Sequence, residues 1–203
     1  YIDGRQVEFI GPVDPPQRDA LFARAWALLH LNTIPERFGL DMDEQGFVSI
    51  RGFINALRDS NRRYHWLRPH HLVAIIETDP KGRYQISNDL MRATYGHSLE
   101  LDLKLPTENI PEHLYYPATP EEADIILETG LRPSDRKMVH LSKTYQDALN
   151  AGRVRVEAPI ILEIDASSAI KAGNVISQAG RTVFLAQEIP PEFLCRKEEE
   201  ESL

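Results

Sequence analysis

The stretch Asp135-Arg136-Lys137-Met138-Val139-His140-Leu141-Ser142 decides how the rest of the chain is read. Its middle, residues 138–141, is short and apolar and predicts a buried strand. At the strand period of two, His140 and Ser142 share one face. Arg136 stands just ahead with a guanidinium that stays charged at any physiological pH. A strand presenting His and Ser beside a permanent cation suits a phosphorylated ligand. The same residues also fit an ordinary surface arginine and a core histidine, because one such strand is a weak motif.

Around that strand, the C-terminal part alternates between strand and helix. Residues 103–113, with Pro106, Asn109 and Pro111, read as a linker. A strand is expected over 114–116, then a helix over 120–129 that Thr119 and Pro120 open and Gly130 closes. A short helix over 145–151 follows. The apolar run 159–164 predicts a central strand. A helix over 166–171 and strands over 175–177 and 182–185 complete the pattern.

Upstream, residues 1–16 read as an arm with one edge strand at 7–10. Residues 18–31 are strong helix formers, with Leu21, Ala25, Leu28 and Leu29 at helical spacing, and Pro35 ends that helix. A turn at 43–46, a strand over 47–50 and a second helix containing 53–57 come next. Pro69 starts a third helix whose buried stripe is Leu72, Ile75 and Ile76, and residues 83–87 and 91–95 form a hairpin across Asn88-Asp89. Three short helices followed by a hairpin is a winged-helix pattern. The expected fold class is α+β in two lobes: an arm over 1–17, a winged-helix lobe over 18–105 and a β-rich lobe over 106–203.

The 203 residues are 42% hydrophobic and 27% charged, which fits a soluble globular chain and excludes a disordered one. No apolar run approaches the roughly 18 residues of a membrane span, and neither a membrane partner nor a secretory signal is expected. The sequence opens on Tyr1 rather than Met, which leaves room for residues upstream. The single cysteine, Cys195, excludes an internal disulfide framework and a thiolate metal cluster, so a cytoplasmic location and no metal site are expected; a monomer is expected as well. Net charge is −8, so nucleic acid must be met by a local basic patch. Residues 58–71 supply one: Arg58, Arg62, Arg63, Arg68, His65, His70 and His71 lie among Tyr64 and Trp66. Arg62, Arg63 and Arg68 are the expected RNA phosphate contacts. A solvated helix end with Trp66 anchored in the core is the alternative. The adjacent His70 and His71 are expected to point in different directions.

Several segments, in order and at matching spacing from about residue 21 to 194, resemble the RNA 2'-phosphotransferase family of the KptA type. They are Pro35-Glu36-x-x-Gly39-Leu40-x-x-Asp43-Glu44-x-Gly46-Phe47-Val48, Asp79-Pro80-Lys81-Gly82-Arg83-Tyr84 and Arg92-Ala93-x-x-Gly96-His97-Ser98. Arg136-x-x-Val139-His140-Leu141-Ser142, Leu162-Glu163-Ile164-Asp165-Ala166 and Pro190-Pro191-Glu192-Phe193-Leu194 continue the series. The resemblance implies a winged-helix RNA lobe and an ADP-ribosyltransferase-like lobe that takes NAD. It implies a two-step reaction on RNA, such as tRNA, that carries an internal 2'-phosphate at a splice junction. The phosphate attacks the anomeric carbon of NAD and expels nicotinamide. The ribose 2''-hydroxyl then attacks phosphorus, which releases RNA and ADP-ribose 1'',2''-cyclic phosphate.

By the same resemblance Arg92 and Arg136 match two catalytic arginines. Tyr115, Tyr116, Thr119, His140 and Ser142 match the NAD side, and His97 and Ser98 the RNA phosphate. The family's Arg-His pair near the first helix falls on Asn32 and Thr33. A two-residue insertion would bring His30 to the histidine place and Leu29 to the arginine place, so the arginine is absent on either reading. Tyr115-Tyr116-Pro117-Ala118-Thr119 stands where the family usually shows Tyr-His-Gly-Thr-Thr. These departures keep two alternatives open: ADP-ribosyl transfer onto phosphorylated nucleic-acid ends, and a catalytically weak relative that binds RNA or a nucleotide.

Overall fold

A computed structural model describes residues 39–60, 62–95, 101–134 and 137–197. The expected edge strand at 7–10 and helix at 18–31 lie outside them. Among the described residues the chain is α+β, with two antiparallel sheets and five α-helices.

The N-terminal half is built on β1 (Val48–Ser49), α1 (Ile50–Ser60), α2 (Pro69–Thr78), β2 (Tyr84–Ser87) and β3 (Leu90–Ala93), with sheet order β1-β3-β2. Helix α1 buries Ile50, Phe53, Ile54 and Leu57, an i, i+3, i+4, i+7 stripe. That stripe explains why the strand expected over 47–50 is shorter than predicted. Ile50 belongs to the helix, and its N–H bonds Asp89 O at 2.9 Å. Pro69 opens α2 as expected. The hairpin turns at Asn88-Asp89, where Asn88 takes φ 55°, a left-handed conformation that Asn tolerates. Val48, Leu72 and Met91 join the α1 stripe in one core.

The C-terminal half is a six-stranded sheet of β4 (His113–Ala118), β5 (Val139–Ser142), β6 (Ile160–Asp165), β7 (Ile176–Gln178), β8 (Val183–Ala186) and β9 (Leu194–Arg196), in the order β7-β8-β5-β4-β6-β9. Its helices are α3 (Pro120–Thr129), α4 (Tyr145–Gly152) and α5 (Ala166–Lys171). Helix α3 occupies the expected span. Thr119 Oγ1 accepts from Glu122 N–H, and the Glu122 carboxylate accepts from Thr119 N–H. Leu114, Leu141, Ile164 and Phe184 fill the core on one sheet face. Helix α4 packs Ala148 and Leu149 against Ile161 on the other. Strand β9 and the 3-10 turn Pro191–Phe193 were not expected from sequence.

The two cores meet at a pair of turns. Arg181 N–H bonds Lys81 O at 2.9 Å, and Arg181 Nη2 bonds Glu77 O at 3.0 Å, in the last turn of α2. A Cβ on Gly180 would lie 2.4 Å from Lys81 O, and one on Gly82 (φ +61°) would lie 2.9 Å from Arg181 Cγ. Asp79, itself buried, fixes this turn by accepting from Arg83 N–H at 2.6 Å and pairing with Arg83 Nη2 at 2.8 Å. A cleft of about 280 Å³ runs along the join, lined by Tyr84, Gln85, Thr94, Gln178 and Arg181 among others.

Candidate functional site

Three of the expected site residues come together on one face of the larger sheet. Opposed residues in an antiparallel pair point the same way. Tyr115 of β4 stands opposite Ser142 of β5, and His140 lies two residues back from Ser142, so all three share a face. Ser142 is buried and His140 half-buried. The Tyr95 ring, just beyond β3, meets the His140 ring edge-on at 5.5 Å and 88°. That contact brings the end of the Arg92 strand to the Tyr115–His140–Ser142 face. Tyr145 of α4 packs edge-on against Tyr115 at 6.4 Å. A phenol ring, an imidazole and a hydroxyl suit a ribose or a carboxamide group. Sequence reasoning gave no site role to Glu163, which lies opposite Tyr115 on β6. Its carboxylate is paired with Lys197 Nζ at 3.2 Å and lies 3.8 Å from His113 Nδ1.

Tyr116 and Thr119 are placed elsewhere. Tyr116 alternates to the opposite face, where it packs against both cores under α3. Arg155 reaches that face and pairs with Glu122 at 3.0 Å; the attraction of Glu122, then hydrogen bonds to Glu122 and Tyr116, push its guanidinium above the usual range. The Thr119 hydroxyl is occupied as the cap of α3.

Arg92 is 4% exposed and held on three sides. Its Nε and Nη2 donate to Gln85 Oε1 at 2.9 and 2.7 Å, its Nη1 donates to Gln45 O at 2.9 Å, and its guanidinium lies 4.4 Å from the Phe47 ring centre. Burial lowers its pKa and the nearby Asp43 carboxylate partly opposes this. Nη1 and Nη2 each keep one N–H with no acceptor among the described residues, so a fixed two-pronged donor remains.

In the basic segment, Arg62 is exposed. Arg68 is tethered instead: its Nη1 donates to His65 O at 2.6 Å and Leu67 O at 3.0 Å. Trp66 is 46% exposed, which overturns the alternative of a tryptophan anchored in the core. The histidines also differ from expectation. His71 Nδ1 accepts Arg68 N–H at 3.0 Å to cap α2, which swings its ring back to His70, with Nε2 atoms 3.1 Å apart. Burial lowers the His71 pKa, with His70 and Arg68 adding to the shift. Among the described residues no three His, Cys, Asp or Glu are grouped to hold a metal ion, and no helix is long and apolar enough to cross a membrane. Asn32, Thr33, His97, Ser98, Arg136 and the Arg63 side chain lie outside the described residues.

Residues 19–188 match the family model described as RNA 2'-phosphotransferase, Tpt1 / KptA family. The chain is 42% identical over 168 residues to a probable RNA 2'-phosphotransferase of Thermoplasma acidophilum, which covers 82% of this chain and 71% of that protein. It is 42% identical over 169 residues to one of Methanosarcina barkeri, covering 83% and 80%. It is 37% identical over 156 residues to one of Pyrococcus horikoshii, covering 77% and 86%. With a family model spanning most of its length and relatives at this identity, the chain belongs to the RNA 2'-phosphotransferase, Tpt1 / KptA family.

Proposed function

We propose that the chain is an NAD-dependent enzyme that removes an internal 2'-phosphate from RNA, a spliced tRNA being the substrate of that type. The observation that carries this reading is the Tyr95–His140 contact, which sets the end of the Arg92 strand against the face of Tyr115, His140 and Ser142. In this reading the N-terminal half is the winged-helix RNA lobe and the C-terminal half the ADP-ribosyltransferase-like lobe. NAD is a consumed substrate that supplies an electrophilic ribose carbon. Tyr115, His140 and Ser142 hold its ribose and carboxamide ends by stacking and hydrogen bonds, and Tyr116 and Thr119 act from behind the strand through its position.

Arg92 presents its two remaining N–H groups to the 2'-phosphate. Its bonds to Gln85 and Gln45 hold the guanidinium in place, so little reorganisation is needed as charge develops. Arg136 supplies the second cation. By the resemblance Asn32 and Thr33 stand where the family has its Arg-His pair, and neither side chain carries a charge. That substitution supports a slower second step, the attack on phosphorus. The test is nicotinamide release measured with NAD and matched oligonucleotides with and without a 2'-phosphate. Release only with the 2'-phosphate is expected; equal release with both would contradict the reading.

A further inference from the structure

Near its C-terminal end, α1 carries Asn55, Arg58 and Asp59 on one side, at spacings of three and four. Together with His65 and Arg68 they line a cleft of about 510 Å³. The two guanidinium groups converge on one acceptor: Arg58 Nη2 and Arg68 Nη1 both donate to Leu67 O. Arg58 Nη1, Arg68 Nε and Arg68 Nη2 have no acceptor among the described residues, and Arg58 Nε is buried with none. Asp59 is the one carboxylate in the lining, and no ion pair joins it to either arginine. Two cations drawn to one carbonyl repel each other, and removing part of a guanidinium from water strengthens its attraction for an anion. In a chain of net charge −8 this local excess of positive charge favours an external anion.

We propose that this cleft binds a backbone phosphate of the RNA at a distance from the phosphate that reacts. Arg92 lies beside Phe47, ahead of α1, whereas Arg58 is eight residues along that helix, about 12 Å of axial rise. The two arginines therefore engage different phosphates of one strand, and the cleft fixes which nucleotide reaches Arg92. The planar guanidinium pair recognises phosphate oxygens, and Asn55 and His65 reach the adjoining ribose.

The inference rests on the RNA reading above, and two separate readouts keep their failures apart. The first is fluorescence anisotropy of a labelled single-stranded oligonucleotide with a 2'-phosphate, which requires no turnover. Arg58→Gln weakens binding about tenfold and lowers the salt slope by about one ion. Asp59→Asn, which removes a surface carboxylate and keeps the loop anchors, tightens binding two- to fivefold. The second readout is nicotinamide release from a 2'-phosphorylated dinucleotide too short to span both sites, which Arg58→Gln changes less than twofold. Unaltered binding in both variants overturns the proposal, as does an equal loss on short and long substrates, which would make Arg58 only a loop anchor. Inorganic phosphate binding as tightly as the oligonucleotide would also overturn it. A wild-type protein inert on the dinucleotide contradicts the proposed function, while the anisotropy comparison still decides the cleft.

Discussion

Replacing Gly180 with alanine strikes the contact between the two cores. The new Cβ would stand 2.4 Å from the Lys81 carbonyl oxygen, where real Cβ atoms keep 3.0 Å or more. The facing turn must retreat by about 0.6 Å, which stretches the 2.9 Å bond from Arg181 N–H to Lys81 O to the limit of a hydrogen bond. Losing that bond and weakening the one from Arg181 Nη2 to Glu77 O costs about 1–3 kcal/mol. For a chain of this size that is a fall in melting temperature of about 2–12 °C. The larger effect is expected in rate, because Arg92 stands on β3 of the smaller sheet and His140 on β5 of the larger one. A displacement on the order of 1 Å between groups that share a substrate costs up to about 100-fold. Gly173→Ala is the control: Gly173 has φ +100° with nothing within 4 Å of its Cβ, so alanine there adds backbone strain alone. Calorimetry and single-turnover nicotinamide release on both variants give the comparison. If Gly180→Ala slows the reaction no more than Gly173→Ala, the contact does not position the site and the reasoning fails.

The remaining predictions concern single groups. Arg136→Ala is expected to cost about 2–5 kcal/mol, or roughly 30-fold to several thousand-fold in rate, and Arg136→Lys is not expected to restore it because an ammonium lacks the planar fork; turnover intact in a folded Arg136→Ala would misplace this group. Asn32→Arg with Thr33→His is expected to speed resolution of the ADP-ribosylated intermediate at least tenfold, about 1.4 kcal/mol, and a wild type that shows no intermediate in single-turnover analysis would mean another group fills that role. Burial pushes Tyr84 up to about 12, with Arg83 opposing and Asp79 adding. The stability this confers is full below the ordinary tyrosine value of about 10 and is lost as pH rises through the shifted one. One of the seven tyrosines should therefore titrate late in the ultraviolet, and Tyr84→Phe should remove that late step.

What the sequence made legible is what local chemistry decides. The bounds of α3 follow from Thr119, Pro120 and Gly130, and those of α2 from Pro69, because caps and proline act within one turn. The shared face of His140 and Ser142 follows from strand alternation alone. What pairing decides was not legible. β9 exists because residues 194–196 reach back to β6, and no signal within Leu194-Cys195-Arg196 announces that partner. Ile50 fits a strand or a helix equally until the α1 stripe claims it. Arg68 reads as an RNA phosphate contact, and nothing in the spacing announces that the turn at 65–67 brings two carbonyl oxygens to it. That Tyr116 turns away from Tyr115 follows from the same alternation, whereas which of the two faces α3 covers does not. The cleft beside Arg58 was not legible: the sequence places Arg58 only in a basic segment, and the lining by Asn55 and Asp59 on one wall and by the following loop on the other is set by the fold.

The most direct test of the central claim follows the phosphate itself. Wild-type protein is incubated with NAD and an RNA oligonucleotide whose single 2'-phosphate carries an isotopic label, and the products are weighed by mass spectrometry. The label is expected to leave the RNA only when NAD is present and to appear in ADP-ribose 1'',2''-cyclic phosphate, after passing through an ADP-ribosylated RNA. Label released as inorganic phosphate, or lost equally without NAD, would contradict it.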